Sequence, residues 1–360
     1  MKEVKPKVKQ RILWIDIAKA LAILSVPVSH TIEIGSKLRI AIFSVHMPIF
    51  FILSGYTTRL ATDWTTFFKR LKKNILAMIV PVLVVLAIFA AYEALRFGGL
   101  HLWPSKMLYI IRQYFILPQP TDPSLYNLTT VWFVIALFYA KVLMDIINIV
   151  IKSEKNYLMN FALGGLGVYL GVSKIHLLPY LDLIFVGMMF IQIGILWREY
   201  EGLLKKYTLP LVIVAFFYWL GRALRGDFIE LYTRFYAGYE ISILESLAGV
   251  FMVCNFMMML EESAKKAKGF QQNIVNGLVF IGQNTLLIYL IHCLDTSVFF
   301  FWDITPNVGL KGFIRLSLNL SIFVMLYLAT HFFKAKITPC LCQFCLNLKK
   351  CYLSAKKSQN

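Results

Sequence analysis

Apolar runs of about membrane-crossing length recur along the chain, at residues 12–33, 39–58, 74–95, 129–151, 157–172, 179–197, 208–222, 241–260, 278–301 and 312–333. About 20 apolar residues in helical form cross a hydrocarbon core roughly 30 Å thick. The pattern therefore predicts an all-α integral membrane protein, a bundle of about ten transmembrane helices. The fifth and seventh runs are the shortest. The link from Thr31 to Leu38 is short, so the first two helices are expected as antiparallel neighbours.

Composition agrees with that pattern. Apolar residues make up 59% of 360 and charged residues 16%, with a mean hydropathy of +0.67. Such values fit a polytopic membrane protein better than two soluble domains. The net charge of +18 would suit nucleic acid or anionic lipid, but its distribution points to topology. With the amino terminus inside, 24 basic residues fall in inner segments and 11 in outer ones, and Lys19 and Lys141 lie within spans. The positive-inside rule then puts both termini in the cytoplasm. Three regions follow: a basic cytoplasmic tail at 1–11, one polytopic domain at 12–333, and a Cys/Lys-rich cytoplasmic tail at 334–360. The tails are expected to touch membrane lipid, and no nucleic acid partner is expected. The first apolar run carries charges and lacks a small-x-small cleavage site, so it is expected to remain as a signal anchor. Cys340, Cys342, Cys345 and Cys351 lack paired Cys-x-x-Cys spacing. They read as reduced cytosolic thiols rather than a zinc site, and no metal is expected.

Candidate chemistry begins in the first run, which holds Asp16, Lys19 and His30 among apolar residues. Eleven residues separate Lys19 from His30, close to three whole turns, so they share a face about 16 Å apart along the axis. Asp16, one turn before Lys19, falls near that stripe and can pair with it. Each charge on a lone helix in hydrocarbon costs roughly 2.5–3.5 kcal/mol on insertion scales. The stripe must then face other helices or a wet cavity. The plainer reading makes Asp16 and Lys19 structural, with Lys19 snorkelling to the interface. His46 opens the second run at a similar depth to His30, and Pro27 and Pro48 interrupt both runs nearby. A proline frees a carbonyl that needs another partner, which suits a helix lining a polar site.

These residues resemble the membrane-bound acyltransferase family 3, including its fucose 4-O-acetylase-like branch. Lys19 and His30 match the family's Arg/Lys-x10-His motif, and the pattern Arg11, Asp16, Lys19, His30 is similar to its opening helix. HMPIFFILSGY resembles its second helix, WFVIALF (Trp132 to Phe138) its central span, and FIGQNTLLIYLIH (Phe280 to His292) its late helix. The resemblance implies an O-acetyltransferase moving an acyl group from cytoplasmic acyl-CoA to a hydroxyl of a sugar or cell-envelope glycan. Acetyl-CoA or another acyl-CoA is then a substrate, and no tightly bound cofactor is expected. The acceptor is a glycan or lipid-linked sugar, acylated directly or through a separate partner, which makes the reaction a polysaccharide modification. The place implied is the inner (plasma) membrane of a bacterium.

On this reading His30 is the general base, since a neutral imidazole is ready to accept a proton at physiological pH. Asp16 and Lys19 organise the channel below it. Arg59, Arg70 and Lys73 are candidates for the phosphates of coenzyme A, against the plainer reading of charges that anchor an inner loop. His46, Tyr289 and His292 are candidates for binding substrate and shaping the site, with Asp295 a turn beyond His292. Two outer segments stay open between roles. Residues 96–128 suit an interface helix better than a sugar-stacking surface, and residues 221–240 make either a lid or a solvated loop. The rival function is a proton-coupled transporter or flippase for a small polar solute or lipid-linked sugar, because buried Asp, Lys and His also build carriers.

Overall fold

The computed structural model describes residues 11–117, 130–152, 155–177, 180–238, 240–298 and 305–332. The tail before Arg11 and the four carboxy-terminal cysteines lie outside the described residues, as do Pro118 and Pro120. Helices dominate. In chain order they are α1 (Leu13–Ser29), α2 (Lys37–His46), α3 (Pro48–Thr57), α4 (Trp64–Asn74), α5 (Val80–Phe97), α6 (Trp103–Phe115) and α7 (Trp132–Val150). Next come α8 (Asn156–Val172), α9 (Leu181–Leu204), α10 (Thr208–Arg225), α11 (Glu240–Lys266), α12 (Phe270–Gln283), α13 (Thr285–Val298) and α14 (Val308–Phe332). A short hairpin, β1 (Ile229–Glu230) and β2 (Phe235–Tyr236), sits between α10 and α11, pairing Ile229 with Tyr236 and Glu230 with Phe235.

By length and apolarity, six helical stretches can cross a membrane, or seven if the bent pair α12 and α13 counts as one span. Ten separate crossings are more than this measure supports. The difference has local causes: α1 and α8 have 17 residues each, and α9 runs on through a single 3₁₀ turn into α10. Proline and polar residues set the breaks. Pro48 starts α3 one residue after α2 ends, keeping that pair as one interrupted stretch. Asn284 separates α12 from α13, which bend by 71°. Residues 57–73, expected as a loop, instead contain α4. Asp63 caps it, accepting from the Thr66 amide at 2.8 Å, as an N-cap aspartate does. A π turn at Ile75–Ile79 carries α4 into α5 ahead of Pro81, which absorbs the ring's clash with the preceding turn. Among the described residues of 96–128, α6 is the main helix; Trp103 at its start donates to the Ala87 carbonyl at 3.0 Å.

Two helices organise the bundle. One is α1, which packs against α2, α3, α11, α12, α13 and α14. The other is α9, packed against α3, α7 and α8. Both use glycine to bring backbones together, as membrane helices commonly do. A Cβ on Gly282 would lie 1.8 Å from the Asp16 carbonyl oxygen. Where α3 crosses α9, a Cβ on Gly194 would lie 1.9 Å from the Ile52 oxygen, and one on Gly55 would lie 1.9 Å from that of Ile191. No rotamer relieves such a contact; the helices must separate. Gly194→Ala should therefore lower the thermal midpoint in detergent, in line with roughly 1–3 kcal/mol for overpacking. Gly277→Ala, a helical site with open space around it, is the control and should match or exceed wild type. Equal midpoints for Gly194→Ala and wild type would contradict the tight crossing.

Candidate active site

Three histidines from separate helices meet where α1 ends. His30 follows the last residue of α1, and its ring centroid lies 5.3 Å from that of His292 on α13 and 5.7 Å from that of Phe43 on α2. Phe43 in turn stacks edge-on against His46 at 4.7 Å. The depth match expected between His30 and His46 is thus a spatial cluster, and it includes His292. His30, His46 and Tyr289 line a cavity of about 90 Å³ together with Trp132, Glu230 and Tyr232. A water needs ~10–15 Å³ of such volume, so the cavity has room for several.

Neighbours fix two of the imidazoles. His46 Nδ1 lies 3.0 Å from the Ile42 carbonyl. That oxygen only accepts, so Nδ1 carries the hydrogen and Nε2 keeps its lone pair. His292 Nδ1 lies 3.2 Å from Asp295 Oδ2, one turn further along α13, with the same consequence for its Nε2. The His292 Nε2 is buried and has no hydrogen-bond partner among the described residues. Asp295 is held from α14 as well: Arg315 donates from Nη2 at 2.6 Å and Nε at 3.2 Å, and Asn319 donates its amide. This bidentate pairing matches guanidinium to carboxylate geometry and leaves the aspartate little freedom to move. Arg315, counted from hydropathy among the outer basic residues, is instead buried in α14. His30 itself has no side-chain hydrogen bond among the described residues, so its ring is open to a ligand.

The hairpin forms a roof. Ile229, Glu230, Leu231 and Tyr232 line the cavity, which favours the lid over the solvated loop. A buried ion pair ties the roof down: Arg234 donates from Nε at 2.9 Å and Nη2 at 3.3 Å to Asp182 at the start of α9. Gly171 on α8 leaves space there for the Arg234 and Tyr236 side chains, within 3.0 Å of where its Cβ would be.

The other end of α1 carries a second polar group. Asp16 pairs with Arg11 at 2.6 Å, whereas the expected Asp16–Lys19 pair is not formed. Arg11 precedes the helix and can swing over the carboxylate. Asp145 on α7 accepts from the Ala61 amide at 2.9 Å and from Arg70 Nε at 2.9 Å; Arg70 also donates to the Arg59 carbonyl. Arg70 is thus largely committed to a buried carboxylate that needs a counter-ion, and Arg59 and Lys73 are exposed. Fourteen residues of α1, about 21 Å of rise, separate Asp16 from His30. The structure therefore divides the candidates between two ends. His30, His46, Tyr289 and His292 meet at one; Asp16, Lys19, Arg59, Arg70 and Lys73 belong to the other. Among the described residues no group of three His, Cys, Asp or Glu side chains is arranged to hold a metal ion.

The family model of the acyltransferase domain matches residues 12–333. The chain belongs to acyltransferase family 3. The match spans everything from α1 to α14, so both polar ends lie inside the family domain. A family 3 acyltransferase with this many apolar helices is a multi-pass membrane enzyme, which favours transfer chemistry over a carrier or flippase. The fucose 4-O-acetylase-like branch is compatible with that membership. Neither the curated proteins nor the solved structures include a match to this chain.

Four residues of the acyltransferase escaped sequence reasoning. Arg315 and Asn319 lack any motif, although an arginine inside an apolar span is itself a signal. Asp182 and Arg234 sit 52 residues apart, and only the fold joins them. Removing one member of that pair strands a buried charge, at about 3–5 kcal/mol. Arg234→Met should accordingly loosen the roof, read as faster proteolysis or hydrogen exchange at 228–237. Arg234→Met with Asp182→Leu should recover most of the loss. A single variant as protected as wild type would show that the pair does not hold the roof.

Proposed function

We propose that this acyltransferase moves an acyl group, most simply acetyl, from acyl-CoA to a hydroxyl of a sugar or envelope glycan, with His30 as general base. The single observation that supports this most is the placement of His30: an unengaged imidazole on the roofed cavity, 5.3 Å from His292. In the reaction, His30 removes the proton of the acceptor hydroxyl as that oxygen attacks the thioester carbonyl. The tetrahedral intermediate then collapses, the carbon–sulfur bond breaks, and the thiolate takes the proton back from the imidazolium. Products are the O-acyl ester and coenzyme A. Atoms and charge balance without a metal or a redox partner.

His292 serves as a positioning group in this reading. Asp295 holds its Nδ1–H, so its Nε2 lone pair is available to a protonated His30. Asp295 thereby steadies the imidazolium through a neutral intermediary, as a carboxylate does behind a catalytic histidine. His46 and Tyr289 border the space where the acceptor would lie. The excess of basic residues at the inner segments puts the Asp16 end toward the cytoplasm, where acyl-CoA is found, and the His30 end toward the outer side. In this picture the inner membrane of a bacterium is the natural setting, and the product is an acetylated polysaccharide or its precursor.

Loss of a general base costs on the order of 10²–10⁴ in rate. His30→Gln keeps a hydrogen-bonding side chain but cannot take up a proton, and should lose acyl transfer by that factor while still binding CoA. Asp295→Asn should reduce turnover more than it changes either Michaelis constant, because it disturbs orientation rather than binding. Both are read by transfer of labelled acetyl to envelope glycan in membranes. A His30→Gln enzyme with most of its turnover would make His30 structural.

A further inference from the structure

The cavity beside His30 is small for a whole acceptor. It holds about 90 Å³, whereas sites that enclose a small organic ligand run to about 300–1,000 Å³. A reacting hydroxyl and its carbon fit there; the rest of a glycan needs other space. Two further cavities adjoin it. One, of about 710 Å³, reaches His46, but apart from Ser25, His46 and Trp219 its lining is apolar, and the Ser25 and Trp219 side chains already donate to Ala22 and Ser44. It offers sugar hydroxyls almost no partners. The other, of about 730 Å³, lies between the end of α8 and the hairpin, and Glu230 and Tyr232 line both it and the His30 cavity. The two spaces thus meet across single side chains.

The chemistry of this larger cleft suits a carbohydrate. Phe235 is 47% exposed and packs against Phe228 with centroids 4.9 Å apart, and both line the cleft. They present an aromatic surface to the apolar face of a sugar ring. Glu230 accepts from Thr233 Oγ1 at 3.0 Å, which uses one of about four lone-pair sites on the carboxylate. The others can accept from sugar hydroxyls. Tyr236, also on the cleft, has a buried hydroxyl with no hydrogen-bond partner among the described residues, and a bound hydroxyl can satisfy it. The cleft is also held in shape. Arg234 takes a left-handed φ of 55°, and its pairing with Asp182 keeps it there; backbone strain of this kind persists where surrounding contacts over-determine it. We propose that the cleft is a second sugar subsite, and that the acceptor is an oligosaccharide or polymer. Its neighbouring unit rests on Phe235 while a hydroxyl of the reacting unit enters the cavity at His30. This rests on the sugar-acceptor reading given above. Binding of the neighbouring unit then orients the reacting hydroxyl, so a longer acceptor reacts faster than a single sugar.

The test gives purified enzyme acetyl-CoA and fragments of one or three sugar units, released from the host's envelope glycan by partial acid hydrolysis and freed of acetyl esters with mild base. Wild type should show a kcat/KM for trisaccharides about tenfold or more above that for monosaccharides. Phe235→Ala should lower that ratio roughly tenfold, the order expected for losing one aromatic contact, and Phe235→Trp should keep it. Thr233→Trp fills the cleft from an exposed position. It should lower the ratio as well, and it carries the test if Phe235→Ala does not insert. Equal kcat/KM on both lengths in wild type, or a ratio that Phe235→Ala leaves unchanged, would overturn the subsite while a sugar acceptor stands. Wild type that acetylates neither the fragments nor the intact glycan would overturn the acceptor reading itself.

Discussion

Hydrocarbon surrounds most of this chain, and in hydrocarbon a charge has to be answered from within the bundle. That constraint accounts for the partners of three buried aspartates. Asp295 is answered by Arg315, Asn319 and His292, Asp145 by Arg70 and the Ala61 amide, and Asp182 by Arg234. Each set joins elements far apart in sequence: α13 to α14, α7 to the α3–α4 connection and α4, and α9 to the hairpin. The polar contacts thus select which helices lie together, while the glycine crossings of α3 with α9 and α1 with α12 allow the close approach. Asp295, held by Arg315 and Asn319, gives His292 a defined tautomer, and that definition is what a proton-transfer site requires.

His30 departs from that rule: its side chain borders the cavity and has no hydrogen bond among the described residues. A polar residue kept unengaged inside a membrane domain at some cost in stability points to a ligand.

Much of this was legible in the sequence. Hydropathy located the helices, and the in-phase spacing of Lys19 and His30 marked α1 as the helix around which others pack. The grouping of His30 with His46 followed from depth alone. Sequence periodicity could not say which faces meet, so the 5.3 Å approach of His292 to His30, the Arg315 clamp and the Asp182–Arg234 tie emerged only from the fold. Charge counting mistook α4 for a loop, because its lysines and arginine look the same on a surface helix and in a polar link. It also gave Arg70 a phosphate role without anticipating that Asp145, 75 residues away, would engage it. Local signals carry spacing along one helix; pairings between helices need the tertiary structure.

The central claim is that acyl transfer takes place beside His30, in the cavity under the hairpin. A cryo-EM map of the enzyme with a thioether analogue of acetyl-CoA, which cannot transfer its acyl group, addresses this directly. The account predicts the analogue's carbonyl in the space between His30 and His46. Well-resolved density for the analogue with its carbonyl far from His30 would contradict it.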